Sequence, residues 1–136
     1  MIVADASLIT SFAVRDGNSD LADAVFEADG NWVAPLLWRY EVRGALVRYM
    51  NHAGLNLEAA LLAFHTAEEV VAGREYKVSS ERVLELAVRS KCAANDCEYI
   101  ALAEELDVLL VTPDRQIVKA FPKIAVSLEN FARKKK

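Results

Sequence analysis

Asp107-Val108-Leu109-Leu110-Val111-Thr112-Pro113-Asp114 is the stretch that decides the fold. Residues 108–112 make a continuous apolar run between an acid and a proline. A run this short, with no polar alternation, reads as a strand covered on both faces. Such strands belong to parallel sheets whose crossovers are helices. The acid that follows, Asp114, then stands at the strand's carboxyl end.

Working outward, the same pattern recurs. Ile2-Val3-Ala4 is a short apolar run that ends at Asp5. Trp32-Val33-Ala34 is another, and Ile124-Ala125-Val126 a last one. Val70-Val71 and Tyr76-Lys77-Val78 are weaker strand candidates, and the pattern does not choose between them. Between these runs lie segments with helical spacing of apolar residues. They cover residues 7–15 and 20–28, a helix from Pro35 to about Met50, and one capped by Asn56. Ser79-Ser80 opens a further helix, Asn95 or Asp96 opens the next, and residues 115–120 make a short one. Pro35 suits a helix's first turn, where its missing N–H costs nothing. Ala53-Gly54 closes the helix that it starts. Strands alternating with helices imply an α/β fold, a central parallel sheet flanked by helices.

The chain has 136 residues, enough for a single domain over residues 1–132. Residues 133–136, Arg-Lys-Lys-Lys, read as a basic C-terminal tail without fixed structure. A hydrophobic share of 54% against 26% charged residues excludes a disordered chain. The formal net charge of -4 argues against binding nucleic acid by bulk attraction, although a local basic surface remains compatible with it. No stretch reads as a signal peptide or a membrane span, so the expected location is cytoplasmic. Cys92 and Cys97 lack C-x-x-C spacing and read as reduced thiols on or near a helix.

Acids in unusual places carry the chemistry. Asp5 and Asp114 end strands, and ligands of an open α/β sheet gather at that rim. Glu41 shares its helical row with Leu37, Gly44 and Ala45, an apolar side where an isolated carboxylate is costly. Asp96 shares a row with Ile100 and Ala103. Singly, Asp5, Asp96 and Asp114 could each be an ordinary helix cap, and Glu41 could pair with an arginine. Arg39 and Arg43, however, lie two positions from Glu41 and point to other faces. Together the acids read as one cluster for a hard divalent ion, Mg²⁺ or Mn²⁺, of the kind that serves phosphoryl chemistry.

These residues resemble the PIN-domain family. Val3-Ala4-Asp5-Ala6-Ser7 is similar to its first-strand D-x-S, and Ala34-Pro35 with Glu41-Val42 and Ala45-Leu46 to its helix with an embedded Glu. Residues 96–103 follow its D-x-x-Y-x-x-L-A pattern, and Leu110-Val111-Thr112-Pro113-Asp114 its last-strand T-x-D. The resemblance implies a PIN-like three-layer sandwich with Asp5, Glu41, Asp96 and Asp114 as catalytic, metal-holding residues around one or two ions. It implies endonucleolytic hydrolysis of RNA by a metal-activated water. Ser7 and Thr112 would orient the carboxylates, and Asn95 beside Asp96 would join them. Size and motif set are closest to the VapC toxins, which implies a VapB-type antitoxin partner and a homodimer.

The remaining polar residues weigh less. Arg115, next to Asp114, and Arg43, on the Glu41 helix, are expected RNA contacts, against the plainer reading of a solvated face. His52 and His65 read as surface histidines away from the acids, which favours metal over histidine chemistry. Trp32, Trp38 and Tyr40 are either core or the lining of a groove for an antitoxin helix. A haloacid-dehalogenase-type phosphatase needs a second Asp two positions after the first, where this chain has Ser7. A receiver domain needs paired acids there. The alternative within the fold is an RNA-binding or protein-interaction module without nuclease activity, which loss of an acid would mark.

Overall fold

The computed structural model describes residues 1–135, the side chains of 134 and 135 excepted. Five short strands among these residues form one parallel sheet: β1 (Ile2–Ala4), β2 (Trp32–Pro35), β3 (Glu75–Tyr76), β4 (Leu110–Val111) and β5 (Ala125–Val126). Their order is β3-β2-β1-β4-β5. Every side chain of β1, β2 and β4 is buried, as unalternating apolar runs require. The order reverses between β1 and β4, and that switch point opens a crevice beyond their carboxyl ends.

Among the described residues, eight helices cover the sheet: α1 (Ala6–Val14), α2 (Ser19–Ala28), α3 (Trp38–His52), α4 (Leu57–Val71), α5 (Ser80–Ser90), α6 (Ala94–Leu106), α7 (Arg115–Ala120) and α8 (Leu128–Lys135). Helix α6 lies against β1, β2 and β4 and is backed by α5. Helix α4 reaches β2 and packs with α1 and α3. The result is the expected α/β sandwich. Its core runs from Ile2, Val3, Leu8 and Ile9 through Trp32 and Trp38 to Ile100, Leu102 and Leu110. Among the described residues, no helix is long and apolar enough to cross a membrane.

The structure corrects four local readings and decides one that the pattern leaves open. Pro35 ends β2, opposite Tyr76, and the helix begins only at Trp38. Glu41 therefore sits in the first turn of α3 rather than mid-helix, where unpaired backbone amides favour a carboxylate. Between the two weak strand candidates, Tyr76 belongs to β3, whereas Val70 and Val71 finish α4. Helix α6 starts at Ala94, so Asn95 and Asp96 stand inside its first turn. Residues 133–135 continue α8 instead of forming an unstructured tail, and Lys136 lies outside the described residues.

Helix α8 lies beyond the elements that the sequence pattern above predicts, and its signals are simple. Leu128, Phe131 and Ala132 are buried at helical spacing and the helix packs on α2. Ser127 caps it, accepting from the Asn130 amide at 3.1 Å.

Candidate active site

Asp5, Glu41, Asp96 and Asp114 all line one cleft of about 580 Å³ at the switch point. They come from four separate elements, so only the tertiary fold brings them together. Asp5 leaves β1 and caps α1, accepting from the Ser7 amide at 3.3 Å. Asp114 leaves β4 and caps α7, where Oδ1 accepts from the amides of Gln116 (2.9 Å) and Ile117 (3.3 Å). The cap and cluster readings are thus both realised at these two positions. One carboxylate oxygen satisfies the helix, and the residue still lines the cleft.

Thr112 ties the two strand ends together. Its side chain is wholly buried, its hydroxyl donates to Asp5 Oδ2, and its oxygen accepts from the Asp114 amide at 3.1 Å. Ser7 lines the cleft mouth and reaches Asp5 only through its backbone. Glu41 is aimed from across the cleft by α6: Tyr99 donates to Oε1 at 2.6 Å and Asn95 to Oε2 at 2.8 Å. Asn95 thus holds Glu41, not its neighbour Asp96. Asp96 makes no hydrogen bond or ion pair among the described residues.

The electrostatics are those of a site short of positive charge. Burial pushes Asp5 up to about 6, against the hydrogen bonds from Thr112 and Ser7, and the nearby charges of Glu41 and Asp96 push it further the same way. Asp96 is raised by burial and then by Asp114 and Glu41. Tyr99 is driven far above its ordinary value, by burial first and then by Glu41. No ion pair to any of the four acids exists among the described residues, so the arginine partner considered for Glu41 is absent. Nor do three of these side chains converge closely enough to form a preformed metal cage among the described residues. The donor set is nonetheless all carboxylate oxygen, mutually repulsive and without an ion-paired cation among the described residues, and such a set suits a hard divalent ion.

The chain belongs to the PIN-domain family. The family's model matches residues 2–124. A relative, Ribonuclease VapC3 of Pyrobaculum aerophilum, is 30% identical over 130 residues, covering 89% of this chain and 95% of its own. The fold also matches the crystal structure of PAE2754 from Pyrobaculum aerophilum, with a TM-score of 0.78 at 21% identity, covering 98% of this chain and 88% of that one.

The other polar residues singled out in the sequence of this PIN domain take varied positions. Arg115 is exposed on α7 and is not part of the cleft wall. Arg43 leans over the Phe64 ring, 5.8 Å from its centroid. His65 pairs with Glu69 at 2.8 Å on the outside of α4. His52, by contrast, lines the cleft with Arg48 and Tyr49, which corrects its placement away from the acids. The signal was available: 41, 45, 48 and 52 follow one another at helical spacing, and all four line the cleft. The buried row of α3 is Trp38, Val42 and Leu46 beside it, so Glu41 flanks the apolar stripe rather than lying on it.

Asp16 also lines the cleft but is fully engaged as a clamp. It accepts from Tyr49 at 2.5 Å, from Ser11 at 3.0 Å and from the Asn18 amide at 2.9 Å. Burial opposes its ionisation, yet these bonds together bring it below the usual carboxylate range. Trp32 and Trp38 prove to be core, whereas Tyr40 is 72% exposed.

Proposed function

We propose that this PIN domain, residues 1–132, is a metal-dependent endoribonuclease that hydrolyses RNA phosphodiester bonds. In this reading it is the toxin of a toxin–antitoxin pair, acts in the cytoplasm as a homodimer, and is neutralised by a VapB-type antitoxin. The observation that carries the reading is the meeting of Asp5, Glu41, Asp96 and Asp114 in one cleft without a protein cation to pair them. The likeness to a protein named a ribonuclease supports the substrate class.

Asp5, Glu41, Asp96 and Asp114 would hold one or two divalent ions, Mg²⁺ or Mn²⁺. When bound, the metal supplies Lewis acidity toward the phosphate and a water reactive at neutral pH. The chain's own residues provide orientation. Thr112 and the Ser7 amide fix Asp5, Tyr99 and Asn95 fix Glu41, and the first amides of α7 fix Asp114. In the hydrolysis itself, water oxygen adds to phosphorus and the bond to the leaving ribose oxygen breaks. The proton released from water ends on that oxygen.

The test is cleavage of a mixed tRNA and rRNA pool in Mg²⁺ or Mn²⁺, then in EDTA, by wild type and Asp96→Ala. Discrete fragments that need both the metal and Asp96 are the expected result. An intact pool with wild type in either metal would instead favour a PIN module that binds without cutting.

A further inference from the structure

The acid cleft presents a difficulty to a polyanionic substrate, because its lining carries five acids and, among the described residues, one arginine. That arginine is Arg48, two helical turns beyond Glu41 on the same row of α3. It makes no ion pair among the described residues, although five acids share the cleft lining with it. Its position is singular in a second way. Arg48 and Glu41 also line a smaller groove of about 430 Å³ formed by side chains of α3 itself, together with Tyr40, Arg43, Gly44 and Val47. Arg48 therefore stands on the ridge where the cleft opens into the groove.

The groove has the chemistry of a single-strand path. Tyr40 is 72% exposed and offers a free ring face. Arg43 and Arg48 follow it along the same face of α3, and neither forms an ion pair with a carboxylate among the described residues. Gly44 has no side chain to obstruct the floor, where an added Cβ would meet only the end of Arg48 at 3.8 Å. Guanidinium groups without a carboxylate partner among the described residues, on a helix face with an exposed aromatic and continuous with the acid cleft, fit a nucleic-acid backbone better than an apolar protein segment.

We infer that the RNA strand leaves the acid cleft over Arg48 and enters the α3 groove, where Arg48 holds a backbone phosphate and Tyr40 stacks a base. This rests on the ribonuclease reading and adds a binding subsite to it. Arg48, rather than Arg115, is then the principal positioning cation.

The test is binding of a fluorescent single-stranded RNA oligonucleotide to the full chain in Ca²⁺ buffer across a KCl series, with the oligonucleotide recovered intact. Arg48→Ala should weaken binding about tenfold and reduce the salt slope by about 0.7. Arg48→Lys should keep the slope. Tyr40→Ala should weaken binding roughly tenfold while leaving the slope unchanged, because stacking releases no counterions. Mn²⁺ affinity should be unaltered in all three.

Wild-type-like affinity and slope in Arg48→Ala and Tyr40→Ala would overturn the subsite while leaving the ribonuclease reading intact. A loss of RNA affinity that tracks a loss of Mn²⁺ affinity would overturn it too, since Arg48 would then act through the acids. If Tyr40→Ala leaves RNA binding unchanged and instead halves the mass measured by light scattering, the groove is an interface between copies of the chain. Absence of RNA binding by wild type would remove the subsite and the ribonuclease reading together.

Discussion

The hydroxyl of Thr112 donates to the carboxylate of Asp5, joining two residues 107 positions apart in sequence. The same oxygen accepts from the backbone of Asp114, so one buried side chain sets the spacing of both strand-end acids. Thr112→Val preserves volume and removes the donor. Mn²⁺ affinity should fall by about 10- to 100-fold, the usual cost of losing a group that orients a ligand. Thr112→Ser should recover most of it. Calorimetric titration of the folded variants checks this, and equal Mn²⁺ affinity in Thr112→Val would assign the hydroxyl a packing role only.

Asp5 makes the metal-free protein sensitive to pH. Its folded pKa is raised from 3.8 to about 6, mainly by burial. The native state therefore binds more protons than the unfolded one between these values, and stability falls as pH rises through them. The penalty is complete above about pH 6 and absent below the unfolded value. Asp5→Asn removes it and keeps a residue that caps helices well. In EDTA at neutral pH the variant should be more stable by on the order of 3 kcal/mol, and the advantage should vanish near pH 4. Urea melts at the two pH values measure it. An Asp5→Asn protein no more stable than wild type at neutral pH would contradict the buried, repelled state of Asp5.

Tyr99 is buried and its hydroxyl holds Glu41 at 2.6 Å. Tyr99→Phe should leave the core filled and free one oxygen of Glu41. The expected result is a fall of about tenfold in kcat/KM for RNA cleavage with little change in melting temperature. A parallel fall in both would point to a structural rather than an orienting hydroxyl.

The Asp16–Tyr49 bond fastens the turn after α1 to the last turn of α3, and it raises the Tyr49 phenol to about 12. Tyr49→Phe should destabilise the fold by roughly 1–2 kcal/mol, the range for a hydrogen bond to a charged acceptor. It should leave Mn²⁺ affinity unchanged, because Asp16 is committed to three donors and stands apart from the other acids in role. Denaturant melts and metal titration together check this.

Much of this arrangement was readable from the chain. Unalternating apolar runs announced β1, β2 and β4, because strands buried on both faces cannot afford polar positions. Acids at the ends of two such runs announced the rim where they meet. What escaped was set by tertiary contact. The two-residue β3 has no periodicity to detect, and only its pairing with β2 defines it. Pro35 is compatible with a helix start and equally with the last residue of a strand, and pairing opposite Tyr76 decides for the strand. Arg48 and His52 were visible as the continuation of the Glu41 row, but nothing local says that this row faces a cleft. The hold of Asn95 and Tyr99 on Glu41 spans 54 and 58 positions, beyond the reach of any spacing rule.

The most direct measurement is Mn²⁺ binding at neutral pH to wild type, Asp5→Asn, Asp96→Asn and, as a control outside the cluster, Glu69→Gln. Four unpaired carboxylates facing one cleft should bind Mn²⁺, both cluster variants should weaken it by at least about tenfold, and the control should match wild type. Undiminished Mn²⁺ binding in Asp5→Asn and Asp96→Asn, or none in wild type, would contradict a divalent-metal site at the β1–β4 switch point.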